Sequence, residues 1–526
     1  MVWDPNGSEP NHPKEIESSP GHSTPRWLPW VLFACLMAVY YGFPSRGYDG
    51  DALKQSGVFH STPGIGGPNH PFSAMYFATW WNLVKGFAGE DFVSRMDLLV
   101  AMNSLLGAGA AALGCAWLGR QGLGVSRTLP AGLLLGLSHF WIYHSTQTTE
   151  PMAAQFLLML SLWGGSLSQL GVWRLILSGV LWATAVVSYQ SYFLAGPFVL
   201  WLTVARWRDL PYWVVPAGVT GFFWFGLAAY LGGAKDFAGF LGYLTTKTDG
   251  EYWGFLRWSQ TARVPLGLAL SVAIPWSPDP WPGMRLGFPG LSTVQKTLLI
   301  GQILLTWAAA FTVLVLPVPS ALRRLRWGLL LGFMVTLFPP MYLSPLYGKL
   351  WLLPTSFLVL LAGLVASGRR WGPHVLLAVV ALQVMVNVPR TLIRPHDPSS
   401  NGLNAAKAIR EVITAEDLLI CDGWDDSATF CAMYPQQNKL VLMFTKGGPE
   451  TVWKRVRETV AAGHRAYVYG VVERTAEAWM LTDLGTRPDL ITHAEFKSFR
   501  DRVGPPVWRA RDKGCSADLY QILTAP

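Results

Sequence analysis

The sequence predicts an α-helical polytopic membrane protein that carries a small α/β domain at its C-terminal end. Its 526 residues are 51% hydrophobic and only 14% charged, with a mean hydropathy of +0.29, whereas an ordinary soluble protein is about 25% charged. Apolar runs of about 17 to 25 residues, the length needed to cross the hydrocarbon core, recur between residues 26 and 392. Beyond residue 395 the composition becomes that of a soluble domain, which we assign to residues 396–526.

The first 25 residues are polar and rich in proline and serine. They lack the basic start and the short apolar core of a signal peptide, so we interpret residues 1–25 as a disordered cytoplasmic tail. The run that follows, "RWLPWVLFACLMAVYYGFP", is long enough to cross a bilayer and has no small-residue cleavage site after it. We therefore predict that it is retained as the first membrane helix.

Further apolar runs follow the first one, beginning near residues 97, 128, 151, 174, 191, 211, 298, 327, 350 and 372. Together they predict about eleven transmembrane helices within residues 26–392. Segment 71–88 is apolar and aromatic but short, and we predict a helix at the outer interface with Trp80 and Trp81 among the lipid headgroups. A full membrane span is the alternative for this segment.

Positive charge lies in alternate gaps between the apolar runs, which is typical of cytoplasmic loops. These gaps hold Arg120 and Arg127, Arg174, Arg206 and Arg208, Arg323, Arg324 and Arg326, and Arg369 and Arg370. The pattern predicts an inner (plasma) membrane protein with a cytoplasmic N-terminus, outer loops at 46–96 and 233–296, and an extracytoplasmic C-terminal domain. Because the arginines do not form one polar face, the net charge of +9 does not indicate nucleic-acid binding.

The C-terminal domain is predicted to alternate helices and strands, in the order "LNAAKAIREVI", "DLLICDGW", "KLVLMF", "ETVWKRVRETVAAG" and "RAYVYGVV". This order predicts a small α/β layer structure, with "CDGWDDSATF" as a loop. No glycine-rich phosphate loop opens its first helix, so we do not predict nucleotide binding. The five cysteines form no CxxC pair or metal-ligand spacing. Cys421 and Cys431 would face an oxidising compartment, but sequence spacing alone does not decide whether they can pair.

The outer loop "GYDGDALKQSGVFHSTPGIGGPNHP" carries Asp49, Asp51, His60 and His70 directly after the first membrane helix. Ionisable groups at a membrane edge are expensive and are therefore functional candidates. Two neighbouring carboxylates raise the pKa of one of them or bind a cation, so either aspartate can serve as a general base. The alternative is a solvated turn, because Asp and Gly are common turn residues.

Other outer-face candidates each have a structural alternative. His70 either caps a helix or shapes a site, and Arg95 is either an interface anchor or a partner for one of the aspartates. Glu150 begins a helix, whose dipole alone would favour it. Lys349 lies at the outer mouth of a membrane helix, as a snorkelling anchor or as a phosphate ligand. Arg257 is a second phosphate candidate by its location in the large outer loop.

The order of these motifs resembles that of the GT-C superfamily of polytopic glycosyltransferases. The resembling segments are "YDGDALKQSGVF", "NHPFSAMYFATWWNLVKGF", "HFWIYHSTQTTEPMAAQ" and "YGKLWLLPTSF". They cover residues 46–170 and, more weakly, 340–367. Members similar to protein O-mannosyltransferases and to lipid A aminoarabinose transferases are the nearest in pattern. The resemblance implies transfer of a sugar from a polyprenyl-phosphate carrier on the outer side of the membrane.

Carried over to this sequence, the resemblance implies that Asp49 is the catalytic carboxylate and Asp51 the alternate. The family's usual motif is a contiguous Asp-Glu, whereas a glycine separates the two carboxylates here, so the choice stays open. Lys349 would replace an arginine that faces the lipid phosphate, with Arg257 as a second cation. The site would further be shaped by His60, His70, Arg95 and Glu150. The implied acceptor is a glycan, lipid or protein, and the expected reaction is inverting and needs no cofactor, with a divalent metal as the open alternative.

Two other functions are compatible with the same composition. A lipid or glycan transporter or flippase would predict internal repeats or helices broken near the midplane, and the sequence contains no clear repeat. A non-catalytic assembly protein would use the C-terminal domain to bind a partner, and its outer-loop residues would be structural.

Overall fold

The computed structural model describes residues 24–46, 48, 53, 55–59, 71–245, 263–274, 292–342, 348–393, 396, 402–421, 425–442, 448–469, 501–509 and 518–523. Up to residue 393 this part is helical. The helices are α1 (Leu28–Gly42), α2 (Ser73–Val84), α3 (Phe92–Arg120), α4 (Val125–Gly136), α5 (His139–Ser145), α6 (Pro151–Gly165), α7 (Trp173–Ser188), α8 (Gly196–Thr203), α9 (Pro211–Leu231), α10 (Phe237–Thr245), α11 (Val264–Val272), α12 (Thr293–Val315), α13 (Arg323–Thr336), α14 (Phe338–Tyr342), α15 (Gly348–Ser367) and α16 (Gly372–Asn387).

Each apolar run that was predicted from the sequence to be helical therefore contains a helix in the structure. By length and composition, five helical stretches of the described residues can cross a membrane, namely Phe92–Arg120, Trp207–Leu231, Lys296–Val315, Gly348–Ser367 and Gly372–Ile393. Two shorter apolar helices are Leu28–Gly42 and Trp173–Ser188. Several runs are divided, as where the run from residue 128 ends one helix at Gly136 and begins another at His139. The number of eleven spans thus stays a prediction.

Helix α15 forms the centre of the helical part and is buried along almost its whole length. It packs against α4, α11 and α13. A helix that is apolar on all sides is typical of a buried core helix, and "LWLLPTSFLVLLAGLVA" has that character. By contrast, α9 leaves large apolar side chains exposed, among them Phe222 and Phe223. Such an outward apolar surface is what a lipid environment solvates.

Helix α2 is the short helix predicted at the outer interface. Its 12 residues would rise only about 18 Å, which is too short for a full span. Both tryptophans contact the protein: the Trp80 indole N–H donates to the carbonyl of Leu98 at 2.6 Å, and the Trp81 ring packs on Phe59 at 4.7 Å between centroids. The sequence predicted that both tryptophans lie among lipid headgroups, and it did not predict these contacts with the protein.

The C-terminal part forms a five-stranded sheet with helices on both faces. Its helices are α17 (Gly402–Val412), α18 (Asp425–Met433) and α19 (Gly448–Ala461), and its strands are β1 (Leu418–Cys421), β2 (Lys439–Val441), β3 (Ala466–Tyr469), β4 (Val503–Trp508) and β5 (Leu519–Ile522). The strand order is β2-β1-β3-β5-β4. Strand β1 is parallel to β2 and β3, whereas β5 is antiparallel to β3 and β4.

The alternating directions of the side chains along β1 explain why helices cover both faces of the sheet. Successive side chains of a strand point to opposite faces, so Leu418 and Ile420 pack with α19, and Leu419 packs with α17 and α18. The predicted α/β layer structure and its three named strands are therefore present in the described residues. The sequence reading omitted α18, β4 and β5.

Candidate functional site

A polar segment of six residues leads from the end of α5 to the start of α6 and is buried throughout. We call residues 144–149 the buried polar segment; each of them is at most 1% exposed. The side-chain amide of Asn103, on α3, donates to the carbonyl oxygens of His144 at 3.3 Å, Gln147 at 2.6 Å and Thr149 at 2.8 Å. Buried backbone carbonyls need such donors. Asn103 therefore fixes the segment that leads directly into Glu150.

Glu150, which directly follows this segment, forms a buried ion pair with Lys349. The Nζ atom of Lys349 lies 2.6 Å from Oε2 of Glu150, and the two residues are 5% and 3% exposed. Glu150 precedes the first residue of α6, where the helix dipole favours a negative charge, while Lys349 lies in the first turn of α15, where the dipole opposes a positive one. A buried charge is tolerated when it is paired. The Glu150 carboxylate thus compensates the positive charge of Lys349 inside the protein.

The outer loop reaches this ion pair through Gln55. The Gln55 side-chain amide donates to Oε1 of Glu150 at 3.2 Å, and Gln55 is 3% exposed. In sequence it stands four residues after Asp51. The two oxygens of the Glu150 carboxylate therefore have different partners: Oε1 accepts from Gln55 of the loop, and Oε2 accepts from Lys349. The loop that carries the candidate aspartates is connected to the predicted phosphate ligand by two consecutive contacts.

A second ion pair anchors the beginning of the outer loop. Nη1 of Arg46 lies 2.5 Å from Oδ1 of Asp97, on α3. The backbone N–H of Ser45 donates to the carbonyl of Thr146 at 2.9 Å, which attaches the loop to the buried polar segment. Burial and the Asp97 carboxylate raise the pKa of the neighbouring Tyr48 hydroxyl, against the opposing effect of Arg46. Tyr48 is therefore neutral at physiological pH.

An apolar cluster contains one loop residue before the two aspartates in sequence, Tyr48, and one after them, Leu53. Tyr48 and Leu53 are each 4% exposed and pack with residues of α2, α3 and α17. We call this group the outer-loop cluster; it comprises Tyr48, Leu53, Val58, Phe77, Met96, Leu99, Met102 and Leu403. Leu403 belongs to the C-terminal part. The cluster thus joins the outer loop to the C-terminal domain.

The structure brings together two of the predicted site residues, Glu150 and Lys349. Arg95 lies in the first turn of α3 and is half-buried. The remaining candidates lie outside the described residues, namely Asp49, Asp51, His60, His70 and Arg257. The sequence reading missed Gln55, Asn103, Arg46 and Asp97. Of these four, only Arg46 and Asp97 could have been paired from the sequence. They carry opposite charges, with Arg46 shortly after the end of α1 and Asp97 in the second turn of α3.

Within the described residues, no group of three or more His, Cys, Asp or Glu side chains is arranged to hold a metal ion. Oxygen-rich sites for Mg²⁺ or Ca²⁺ require several such ligands. The open alternative of a divalent metal therefore depends on the loop residues outside the described part.

Solved structures of two proteins are among those similar to this chain. The crystal structure of ArnT, a lipid A aminoarabinose transferase, from Cupriavidus metallidurans bound to undecaprenyl phosphate is 13% identical, covers 94% of this chain and 98% of its own, and has a TM-score of 0.49. The apo structure of that protein is 14% identical, with coverages of 94% and 97% and a TM-score of 0.43. The Archaeoglobus fulgidus oligosaccharyltransferase in complex with Zn and sulfate is 11% identical, with coverages of 92% and 72% and a TM-score of 0.49.

Both proteins are GT-C glycosyltransferases, the superfamily that the outer-loop motifs resemble. No protein-family model matches the chain, and no curated protein matches its sequence. Identities of 11–14% and TM-scores below 0.5 are too low to transfer a substrate or the role of a residue. The chemistry of this chain therefore has to be argued from its own residues.

Proposed function

We propose that the chain is a membrane glycosyltransferase that moves a sugar from a polyprenyl-phosphate donor to an acceptor at the outer face of the membrane. The observation that carries the proposal is the buried Glu150–Lys349 pair, reached by Gln55 of the acidic outer loop. A lipid-linked sugar keeps its tail in the bilayer and its phosphate near the surface. Its catalyst needs a cation for the phosphate and a base for the acceptor, connected within one site.

Lys349 is suited to hold the donor phosphate while it remains paired. The ammonium group of Lys349, which has three hydrogen-bond donors, donates to the Glu150 carboxylate. The Glu150 carboxylate balances the charge of Lys349 before the donor binds, so the site does not contain an unpaired buried cation. When the donor is bound, a phosphate oxygen accepts a hydrogen bond from the same ammonium group. Arg257 is proposed as a second cation on the phosphate.

The proposed reaction is a single displacement at the anomeric carbon. The carboxylate of Asp49 or Asp51 removes the proton of the acceptor hydroxyl or amine. The acceptor atom forms a bond to the anomeric carbon as the bond from that carbon to the phosphate oxygen breaks, which inverts the configuration. The electron pair leaves with the polyprenyl phosphate, whose developing charge Lys349 stabilises. Residues His60, His70 and Arg95 are proposed to shape the donor site.

The test is glycan analysis in a strain from which the gene has been deleted. Lipid-linked and protein-linked glycans are quantified by mass spectrometry after complementation with the wild-type chain, Asp49→Asn, Asp51→Asn and the double variant. Glu90→Gln, an exposed carboxylate in the same outer region, is the matched control. We expect the deletion to remove one glycan modification and to accumulate its lipid-linked donor, and the double variant to behave like the deletion.

Two outcomes contradict the proposal. Full restoration of the modification by the double variant would remove the aspartates as the base. Movement of a lipid-linked sugar across vesicles by the purified chain, with no change of any glycan in the deletion strain, would indicate the flippase instead.

A further inference from the structure

Two cysteines meet inside the C-terminal domain. The Sγ atoms of Cys421 and Cys431 lie 3.7 Å apart, although the residues are ten positions apart in sequence. Cys421 is the last residue of β1 and is fully buried, whereas Cys431 lies on α18 and is partly exposed. A disulfide bond joins sulfur atoms at about 2.05 Å, so an approach of roughly 1.6 Å would complete one. Rotation of the two side chains provides movements of this size.

We propose that Cys421 and Cys431 are an oxidisable pair that forms an intradomain disulfide bond. The thiolate of Cys431, the more accessible of the two, attacks an external disulfide and releases one thiol. The thiolate of Cys421 then attacks Sγ of Cys431 in the mixed disulfide and releases the second thiol. In sum, the two cysteines lose two protons and two electrons, and the external disulfide takes up both and is reduced to two thiols.

The bond would fasten the helix that connects the sheet to the outer loop. Phe430 of α18 is buried against the sheet, and its neighbours Ala432 and Met433 pack against the outer-loop cluster. A cross-link from Cys431 to the end of β1 therefore fixes α18 at the middle of this contact. Closing a loop of this length also lowers the entropy of the unfolded domain. The inference concerns the C-terminal domain and does not depend on the proposed transfer reaction.

The test counts reactive thiols in the full-length chain. A pair-only variant carries Cys35→Ser, Cys115→Ala and Cys515→Ser, which leaves Cys421 and Cys431. It is purified in detergent, incubated with oxidised glutathione, denatured in SDS and labelled with a maleimide–polyethylene glycol. We expect no label after oxidation and two labels after reduction. Adding Cys421→Ser should give either one label or one glutathione adduct, but never the closed form.

Peptide mapping of the wild-type chain without reduction provides a second measurement that does not depend on the folding of any variant. We expect a single peptide that contains both cysteines, or a cross-linked pair of peptides where the protease cuts between residues 421 and 431, that is lighter by two hydrogen atoms than its reduced form. Two maleimide labels on the oxidised pair-only variant, a stable glutathione adduct on Cys431 in the presence of Cys421, or a cross-link from either cysteine to Cys515 would each overturn the inference.

Discussion

Breaking the Glu150–Lys349 pair should destabilise the protein far more than breaking an exposed pair. At 2.6 Å and an effective dielectric constant of about 20, the two charges attract each other by about 6 kcal/mol. The desolvation of two buried ions offsets much of this energy when both are present. Removing one partner leaves the other buried without compensation, and we expect Glu150→Gln or Lys349→Met to lower the free energy of unfolding by about 3–5 kcal/mol.

The double variant distinguishes this mechanism from a simple loss of packing. Glutamine and methionine preserve the approximate shape of the original side chains, so Glu150→Gln combined with Lys349→Met leaves neither an unpaired charge nor a large cavity. We expect the double variant to lose clearly less stability than the sum of the two single losses. The difference is the coupling energy of a double-mutant cycle. It is measured by equilibrium unfolding in mixed micelles of detergent and SDS, followed by circular dichroism.

An exposed ion pair of the C-terminal domain is the matched control. Arg455 and Glu458 approach to 3.9 Å, and both side chains are 52% exposed. Exposed pairs contribute about 0–1 kcal/mol, so Glu458→Gln should leave the unfolding curve nearly unchanged. The reasoning is refuted when Glu150→Gln and Lys349→Met each behave like this control, or when their effects add without coupling.

Three further predictions concern single residues, and each is checked by the same unfolding assay. Burial raises the pKa of the Asp417 carboxyl, but three hydrogen bonds to it outweigh this effect and hold the pKa below its ordinary value. The ionised carboxylate therefore stabilises the folded domain above about pH 4, and this stabilisation is lost as the pH falls. Asp417→Asn should therefore reduce the acid sensitivity of the domain, while the exposed Glu416→Gln should not. Gly179→Ala would bring a methyl group into collision with the backbone carbonyl of Trp213 on α9 and should cost about 1–3 kcal/mol. Gly218→Ala meets open space and should not destabilise the protein. Asn103→Leu removes the donor of three buried carbonyls and should cost about 1–3 kcal/mol for each carbonyl left unsatisfied.

The positions of the helices and of three strands could be predicted because hydrophobic runs follow directly from burial. Strand β4 could not, because its sequence "VGPPVW" contains two prolines, which argue against a strand inside a sheet. The strand order explains the exception, since β4 lies at the edge, where missing N–H donors are tolerated. Strand β5, "LYQI", is as long as β1 and β3, but Gln521 interrupts its apolar run. Helix α18 was interpreted as an acidic loop, although its two leading aspartates favour a helix N-terminus.

The sequence indicated individual candidate residues, but it did not indicate their partners. Glu150 and Lys349 are ionisable residues at helix ends in an apolar chain, which marked each of them. They are 199 residues apart, and no local pattern indicates that they meet. Gln55 could not be predicted for another reason. A neutral amide in a polar loop is common, and only the structure shows that this one donates to a buried carboxylate. Asn103 likewise resembles an ordinary helix residue until the carbonyls around it are known.

The C-terminal domain is better understood as part of the outer-loop structure than as a separate binding module. Tyr48 and Leu53, which flank the two aspartates in sequence, are buried in the same cluster as Leu403 of α17, with Met433 of α18 packed against it. Burying a large apolar side chain contributes about 1.5–3 kcal/mol, so separating the domain from the loop would expose several such side chains at once. The domain therefore cannot move freely without changing the loop. A change in the packing of α17 or α18 would therefore alter the cluster that holds Tyr48 and Leu53.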